Sequence, residues 1–143
     1  MKTVAQLLRG KGGEVLSVTP DTSVFAALEI MAEKNVGALM VVERTRLIGV
    51  FSERDYARKV VLEGKSSREV PVRAIMSSHV LYVRLQQTIE DCMALMTDKR
   101  VRHLPVLDAD RLVGVISIGD VVKAIIAEQE FMIEQLQNYI AGR

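Results

Sequence analysis

Apolar positions along this chain fall at helical spacing, then run together as strands, and the whole order occurs twice. Val24, Ala27, Leu28, Met31 and Ala32 lie three and four apart, which predicts one buried face of a helix over 24–35. Ile89, Cys92, Met93, Leu95 and Met96 predict the same over 89–99. Asp21, Thr22 or Ser23 can cap the first of these helices and Thr88 the second. Near-continuous Val/Ile/Leu runs follow at 37–42 and 46–51, joined by the polar turn Glu43-Arg44-Thr45, and again at 103–107 and 112–116, joined by Asp108-Ala109-Asp110. Such runs suit strands buried on one or both faces. Shorter strands are expected at 15–18 and 80–83. A short helix should open each copy, at 3–8 and 71–76, with a longer loop after the first (Gly10-Lys11-Gly12-Gly13) than after the second (Ser77-Ser78). A further helix should begin near Asp55 and near Asp120.

The repetition is literal. Gly49-Val50-Phe51-Ser52-Glu53-Arg54-Asp55 returns as Gly114-Val115-Ile116-Ser117-Ile118-Gly119-Asp120, an offset of 120 − 55 = 65 residues. The same offset links Met31 to Met96, Lys34 to Lys99, Leu39 to Leu104 and Leu47 to Leu112. A two-fold internal repeat sets the architecture before any local assignment. The expected class is α/β (α+β): helix, strand, helix, strand, strand, helix per copy, with a small three-stranded sheet in each. The boundaries read as 1–66 for the first repeat (motif core 15–62) and 67–143 for the second (motif core 80–126), the latter with a helical extension. A unit of about 65 residues is marginal alone, so the two should fold as a pair. The last helix, to about Ile140, carries Val121, Val122, Ile125, Ile126, Phe131, Met132, Leu136, Tyr139 and Ile140, more apolar surface than the pair needs. Part of it is expected to pack on a partner subunit.

Composition narrows the function. The net charge is +1 and aromatic residues are scarce, which speaks against a nucleic-acid or membrane-surface binder. No apolar run reaches the length of a membrane span, and Met1-Lys2-Thr3-Val4-Ala5 lacks the apolar core of a signal peptide. A single cysteine rules out an internal disulfide framework, and the expected setting is the cytoplasm. Cys92 and the methionines Met31, Met40, Met93 and Met96 read as core filling, and His79 as a loop residue. No nucleophile–base pair, metal-ligand spacing or Walker lysine loop is present, so no enzymatic activity and no metal requirement are expected.

What chemistry the chain holds is concentrated at the twin Ser-x-x-Asp turns, Ser52/Asp55 and Ser117/Asp120. Capping alone would explain a serine and an aspartate at a helix start; the repetition of both residues argues for more. A nucleoside phosphate needs a carboxylate for its ribose diol, donors for its phosphate and a slot for its base. The order of elements, with Gly-h-h-Ser-x-x-Asp (h apolar) closing each copy and Arg102-His103-Leu104-Pro105-Val106 on the second copy's middle strand, resembles a tandem cystathionine-β-synthase (CBS) domain pair, or Bateman module, of the stand-alone signal-transduction type. The resemblance covers about Val4 to Lys123.

It implies two repeats related by pseudo-two-fold symmetry, clefts between them that take adenosine-containing ligands (AMP first, then ADP, ATP, NAD(H) or S-adenosylmethionine), a homodimer, and a separate regulated protein. Carried over by position, Asp55 and Asp120 would hold ribose, and Ser52 and Ser117 would face phosphate. Gly37 and Ala38 would leave room for a base, Arg102 and His103 would reach a phosphate, Thr22 would face the cleft, and Arg54 would lie within reach of a phosphate. Arg54, Arg58 and Lys59 otherwise read as a solvated basic face. The copies depart from each other: Gly37-Ala38 lacks the basic pair, Gln87 stands opposite Thr22, and Gly119 opposite Arg54. The two sites are therefore expected to differ in ligand or affinity. The competing expectation is a dimerisation scaffold whose sites are vestigial.

Overall fold

The computed structural model describes residues 2–12 and 15–142. Five α-helices and six strands follow one another as α1 (Val4–Lys11), β1 (Ser17–Val18), α2 (Val24–Lys34), β2 (Ala38–Glu43), β3 (Arg46–Ser52), α3 (Glu53–Tyr56), β4 (Val83–Arg84), α4 (Ile89–Lys99), β5 (His103–Asp108), β6 (Arg111–Ser117) and α5 (Ile118–Ile140). A π-helical turn, Ala57–Val61, continues α3, and a 3-10 turn occupies Val72–Ala74.

The chain forms two compact units, named here for the serines at their motif ends. The Ser52 unit is Glu14–Leu81 with Asp108–Val113; the Ser117 unit is Met1–Gly13, Tyr82–Leu107 and Gly114–Arg143. In the Ser52 unit β1 runs parallel to β2, and β2 is antiparallel to β3 with Ala38 opposite Ser52. In the Ser117 unit β4 runs parallel to β5, which lies beside β6. The two α/β patterns are those the apolar periodicity predicts.

Each core is built from the faces read in the sequence. Val24, Ala27 and Met31 of α2 are buried with Leu39, Val41, Phe51 and Val60. Ile89, Cys92 and Met96 of α4 are buried, as are Leu104, Val106, Ile116 and Val121. Ser23 caps α2, accepting from Ala26 N–H at 3.1 Å, and Thr88 caps α4, accepting from Asp91 N–H at 3.1 Å. Both helices end on a left-handed residue, Asn35 and Arg100.

The opening segment of each repeat is seated in the unit that holds the other repeat's strands. In the Ser117 unit Val4 N–H donates to Gln87 O at 2.8 Å, and Ile89 N–H donates to Lys2 O at 3.0 Å. In the Ser52 unit the equivalent bonds are Val72 N–H to Thr22 O at 2.8 Å and Val24 N–H to Val70 O at 2.9 Å. These backbone bonds satisfy helix-start donors that would otherwise lack partners.

The two segments differ in form. The first is a helix that runs through Gly10 to Lys11 and stops at Gly12, whose φ of 62° suits a residue without Cβ. It is longer than the 3–8 expected from the apolar pattern; Gly13, the end of the expected loop, lies outside the described residues. The second is only the 3-10 turn Val72–Ala74, directly after Pro71. The first strands are also shorter than expected, two residues each.

Candidate functional site

Ser52 and Ser117 each stand where a strand passes into a helix, and each forms a reciprocal capping box with the aspartate three residues on. At the Ser52 end, Asp55 N–H donates to Ser52 Oγ at 3.2 Å, while Asp55 Oδ2 accepts from Ser52 N–H and Ser52 Oγ, both at 3.0 Å. At the Ser117 end, Asp120 N–H donates to Ser117 Oγ at 3.1 Å and Asp120 Oδ2 accepts from Ser117 N–H at 2.8 Å. Both carboxylates thus sit at a helix start, where negative charge is favoured.

Each carboxylate is met by a lysine. Lys59, in the π-helical turn, lies 3.3 Å from Asp55 Oδ1 and donates to Ile75 O at 3.0 Å. Lys11, at the end of α1, lies 2.8 Å from Asp120 Oδ2 and donates to Val115 O at 2.6 Å. Neither lysine stands out in the sequence as a site residue. Lys59 is four residues beyond Asp55, a helical spacing that could have flagged the pair. Lys11 is more than a hundred residues from Val115 and carried no local signal.

The strands bring further predicted residues to these turns. Glu53 N–H donates to Gly37 O at 3.0 Å, and Ala38 pairs with Ser52, so Gly37 and Ala38 border the Ser52 turn. Ile118 N–H donates to Arg102 O at 2.9 Å in the same manner, so Arg102 and His103 border the Ser117 turn. A Cβ on Gly37 would meet nothing closer than the Glu53 carboxylate, at 3.8 Å. The Gly37-Ala38 edge is therefore open where Arg102-His103 is filled. Arg54 is exposed on α3. Thr22 is turned to Thr19, with their hydroxyls 3.0 Å apart, and its carbonyl seats Val72. Neither bond joins it to the Ser52 turn.

Electrostatics distinguish the Ser117 end. Burial lowers the proton affinity of His103 below that of free imidazole; Lys11 and Arg102 add to the effect and Asp120 opposes it. Burial alone would push the Asp120 carboxyl up, but bonds from Lys11 and Ser117 outweigh it and hold the group below the usual carboxylate range. Burial pushes the Cys92 thiol up to about 11, with Asp91 and Glu90 adding to it, which leaves it a core group without thiolate reactivity. A separate notch in the Ser117 unit, about 370 Å³, is lined by Lys2, Gln6, Ala124, Ala127, Glu128 and Phe131 and contains none of the predicted site residues. Among the described residues no group of three or more His, Cys, Asp or Glu side chains is gathered to hold a metal ion, and no helix is long and apolar enough to cross a membrane.

The profile of the CBS domain matches this chain twice, over residues 12–62 and 72–127. The chain belongs to the CBS-domain family. CBS-domain protein CBSX3 of Arabidopsis thaliana, named as mitochondrial, is 38% identical over 98% of this chain and 72% of its own length. The structure of a signal-transduction protein with CBS domains from Burkholderia ambifaria is 50% identical, with a TM-score of 0.83, covering 90% of this chain and 96% of that one. A CBS-domain protein of Agrobacterium tumefaciens is 37% identical with a TM-score of 0.80, over 86% and 98% of the two chains. CBS-domain proteins are regulatory modules, and the two CBS repeats read in the sequence are those of this family.

Proposed function

We propose that the chain is a non-catalytic regulatory module that binds adenosine-containing nucleotides at its two motif ends. Asp55 and Asp120 take ribose hydroxyls, Ser52 and Ser117 are turned to phosphate, and the base lies along Gly37-Ala38 in the Ser52 unit. AMP is the first candidate, ahead of ADP, ATP, NAD(H) and S-adenosylmethionine, and the protein brings no metal of its own. The module acts as a homodimer in the cytoplasm and signals to a separate protein by a change of shape or association.

The observation that carries this reading is the twin carboxylate. Each is fixed at a strand-to-helix turn with a serine hydroxyl three residues before it and an ammonium group against it. A fixed carboxylate suits a diol, and the cation and helix N–H groups suit a phosphate. At Asp120 both the capping bond and the lysine fall on Oδ2, so the cap engages one of the two oxygens.

Thermal unfolding against AMP, ADP, ATP, NAD+, NADH, S-adenosylmethionine and GMP tests it, with Asp55→Ala and Asp120→Ala alongside. A ligand at a hundred times its dissociation constant should stabilise the fold by about 2.7 kcal/mol. A shift with adenine ligands that disappears in one variant supports the reading and assigns the end; no shift with any of them sinks it.

The scaffold reading is favoured by one observation. Val122, Ile126, Phe131, Met132, Ile133, Leu136, Tyr139 and Ile140 are all exposed on α5. A second copy is the partner the scaffold reading assigns to this face. Trimming after Lys123 should then convert dimer to monomer in sedimentation, and an unchanged mass would end that assignment.

A further inference from the structure

Lys11 is placed as a movable counter-ion. Its ammonium has three N–H donors, and two are anchored, on Asp120 Oδ2 at 2.8 Å and on Val115 O at 2.6 Å. The Lys11 side chain is 36% exposed, so the pair is solvated on one side and holds little free energy. Its backbone, by contrast, is fixed in the last turn of α1. There Gly12 N–H closes the helix on Leu8 O at 2.9 Å, and Val4 and Leu7 are buried. The flexible stem can therefore exchange one oxygen anion for another without moving the helix.

The surroundings favour that exchange. Lys11, Arg102 and Asp120 all act on His103, two cations against one carboxylate, and burial together with Lys11 and Arg102 disfavours its imidazolium form. A phosphate dianion relieves this local excess of positive charge, which an uncharged nucleoside does not. The Ser52 end lacks the arrangement. Its lysine comes from the turn directly following its own α3, and Gly37 and Ala38 stand at the positions of Arg102 and His103.

Resting on the functional reading above, we propose that Lys11 is the phosphate-selecting residue of the Ser117 end: its ammonium neutralises Asp120 and transfers to the ligand's phosphate when a ribose takes that carboxylate. The ligand class assigned to this end is a phosphorylated nucleotide, and the nucleoside alone is disfavoured because it must displace Lys11 without offering it another anion.

The experiment is calorimetric titration of adenosine and ATP into the full chain carrying Asp55→Ala, which silences the other end, with and without Lys11→Met, Lys11→Arg and Asp120→Asn. Lys11→Met should weaken ATP at least tenfold while adenosine binds as well as before or better. Lys11→Arg should restore most of the ATP affinity. In the ligand-free protein, carboxylate NMR should find Asp120 titrating at higher pH once Lys11 is methionine. An unchanged ratio of ATP to adenosine affinity, with Asp120→Asn still abolishing both, overturns the role of Lys11 and leaves the functional reading standing. ATP binding that ignores Asp120→Asn, or no binding of either compound, overturns the functional reading of the Ser117 end and this inference with it.

Discussion

Asp55 and Asp120 occupy the same place in the repeat, cap the same kind of turn and bond the same kind of serine, yet their cations come from different parts of the chain. Asp55 is met by Lys59, four residues on; Asp120 is met by Lys11, from a helix at the other end of the sequence. At the position of Lys59 the second copy has Ala124, which is buried, and α5 runs on as a regular helix where the first copy has its π-helical turn. Duplication thus preserved the acceptor and left its counter-charge free to be supplied anew. One end became locally self-sufficient. The other became dependent on tertiary structure, and responsive to anything that disturbs α1.

Four changes would break or sharpen this contrast. The largest effect is expected at the motif glycines. A Cβ on Gly49 would lie 2.6 Å from Met76 Sδ and 3.0 Å from Ser77 O, whereas on Gly114 it would meet only the Leu8 side chain, at 2.8 Å. Both alanine variants should destabilise, by about 1–3 kcal/mol, and Gly49→Ala should cost more because a backbone carbonyl cannot swing away. Denaturant melts that rank them in the opposite order would contradict this.

Next come the caps. Ser52→Ala and Ser117→Ala should each lose about 1 kcal/mol. Amide exchange should show the loss spread along α5 for Ser117 but confined to the short α3 for Ser52.

The lysines follow. Lys59→Met and Lys11→Met remove half-exposed pairs worth less than about 1 kcal/mol. Only Lys11→Met should quicken amide exchange in α1, and equal quickening in both variants would erase the distinction.

The smallest effect is a slope with pH. The proton affinity of His103 is lowered on folding, so its contribution is complete above its unfolded pKa of about 6.5 and falls away as pH drops through that value toward the folded one. Asp120 is lowered too, and its contribution should be lost only as pH falls below about 3.9, the unfolded carboxyl value. His103→Gln should flatten the stability curve just below pH 6.5 and leave the more acidic limb unchanged.

The strands and principal helices were legible because their information is local: apolar spacing, a serine or threonine before a helix, a polar turn between two apolar runs. Ser23, one of three candidate caps, is the one whose hydroxyl reaches Ala26 N–H. The capping function of Ser52, Asp55, Ser117 and Asp120 was legible in the same way. Lys59 was half legible, since its spacing from Asp55 is helical but its role looked like surface charge. Lys11 was not legible at all, because the residue it neutralises is brought to it only by the folded Ser117 unit. The first helix was misjudged at its end for a related reason. Gly10 reads as a breaker, but its exposed site asks nothing of a side chain, and the stop is made by Gly12 at a positive φ. Nor was the part played by the Thr22 carbonyl in seating Val72 legible, or that of Gln87 in seating Val4, since both contacts are long-range.

The seating of each opening segment has a consequence for biosynthesis. Val4 and Ala5 emerge from the ribosome long before Leu85 and Gln87, whose carbonyls they need, have been made. Until then the apolar stripe of Val4 and Leu7 has no home, and the chain must hold it in reserve while the Ser52 unit assembles around Val72 and Ile75. The order of maturation is thus opposite to the order of translation for those first residues. A bulky fusion placed ahead of them should injure the unit completed last, even though it is attached beside the repeat made first.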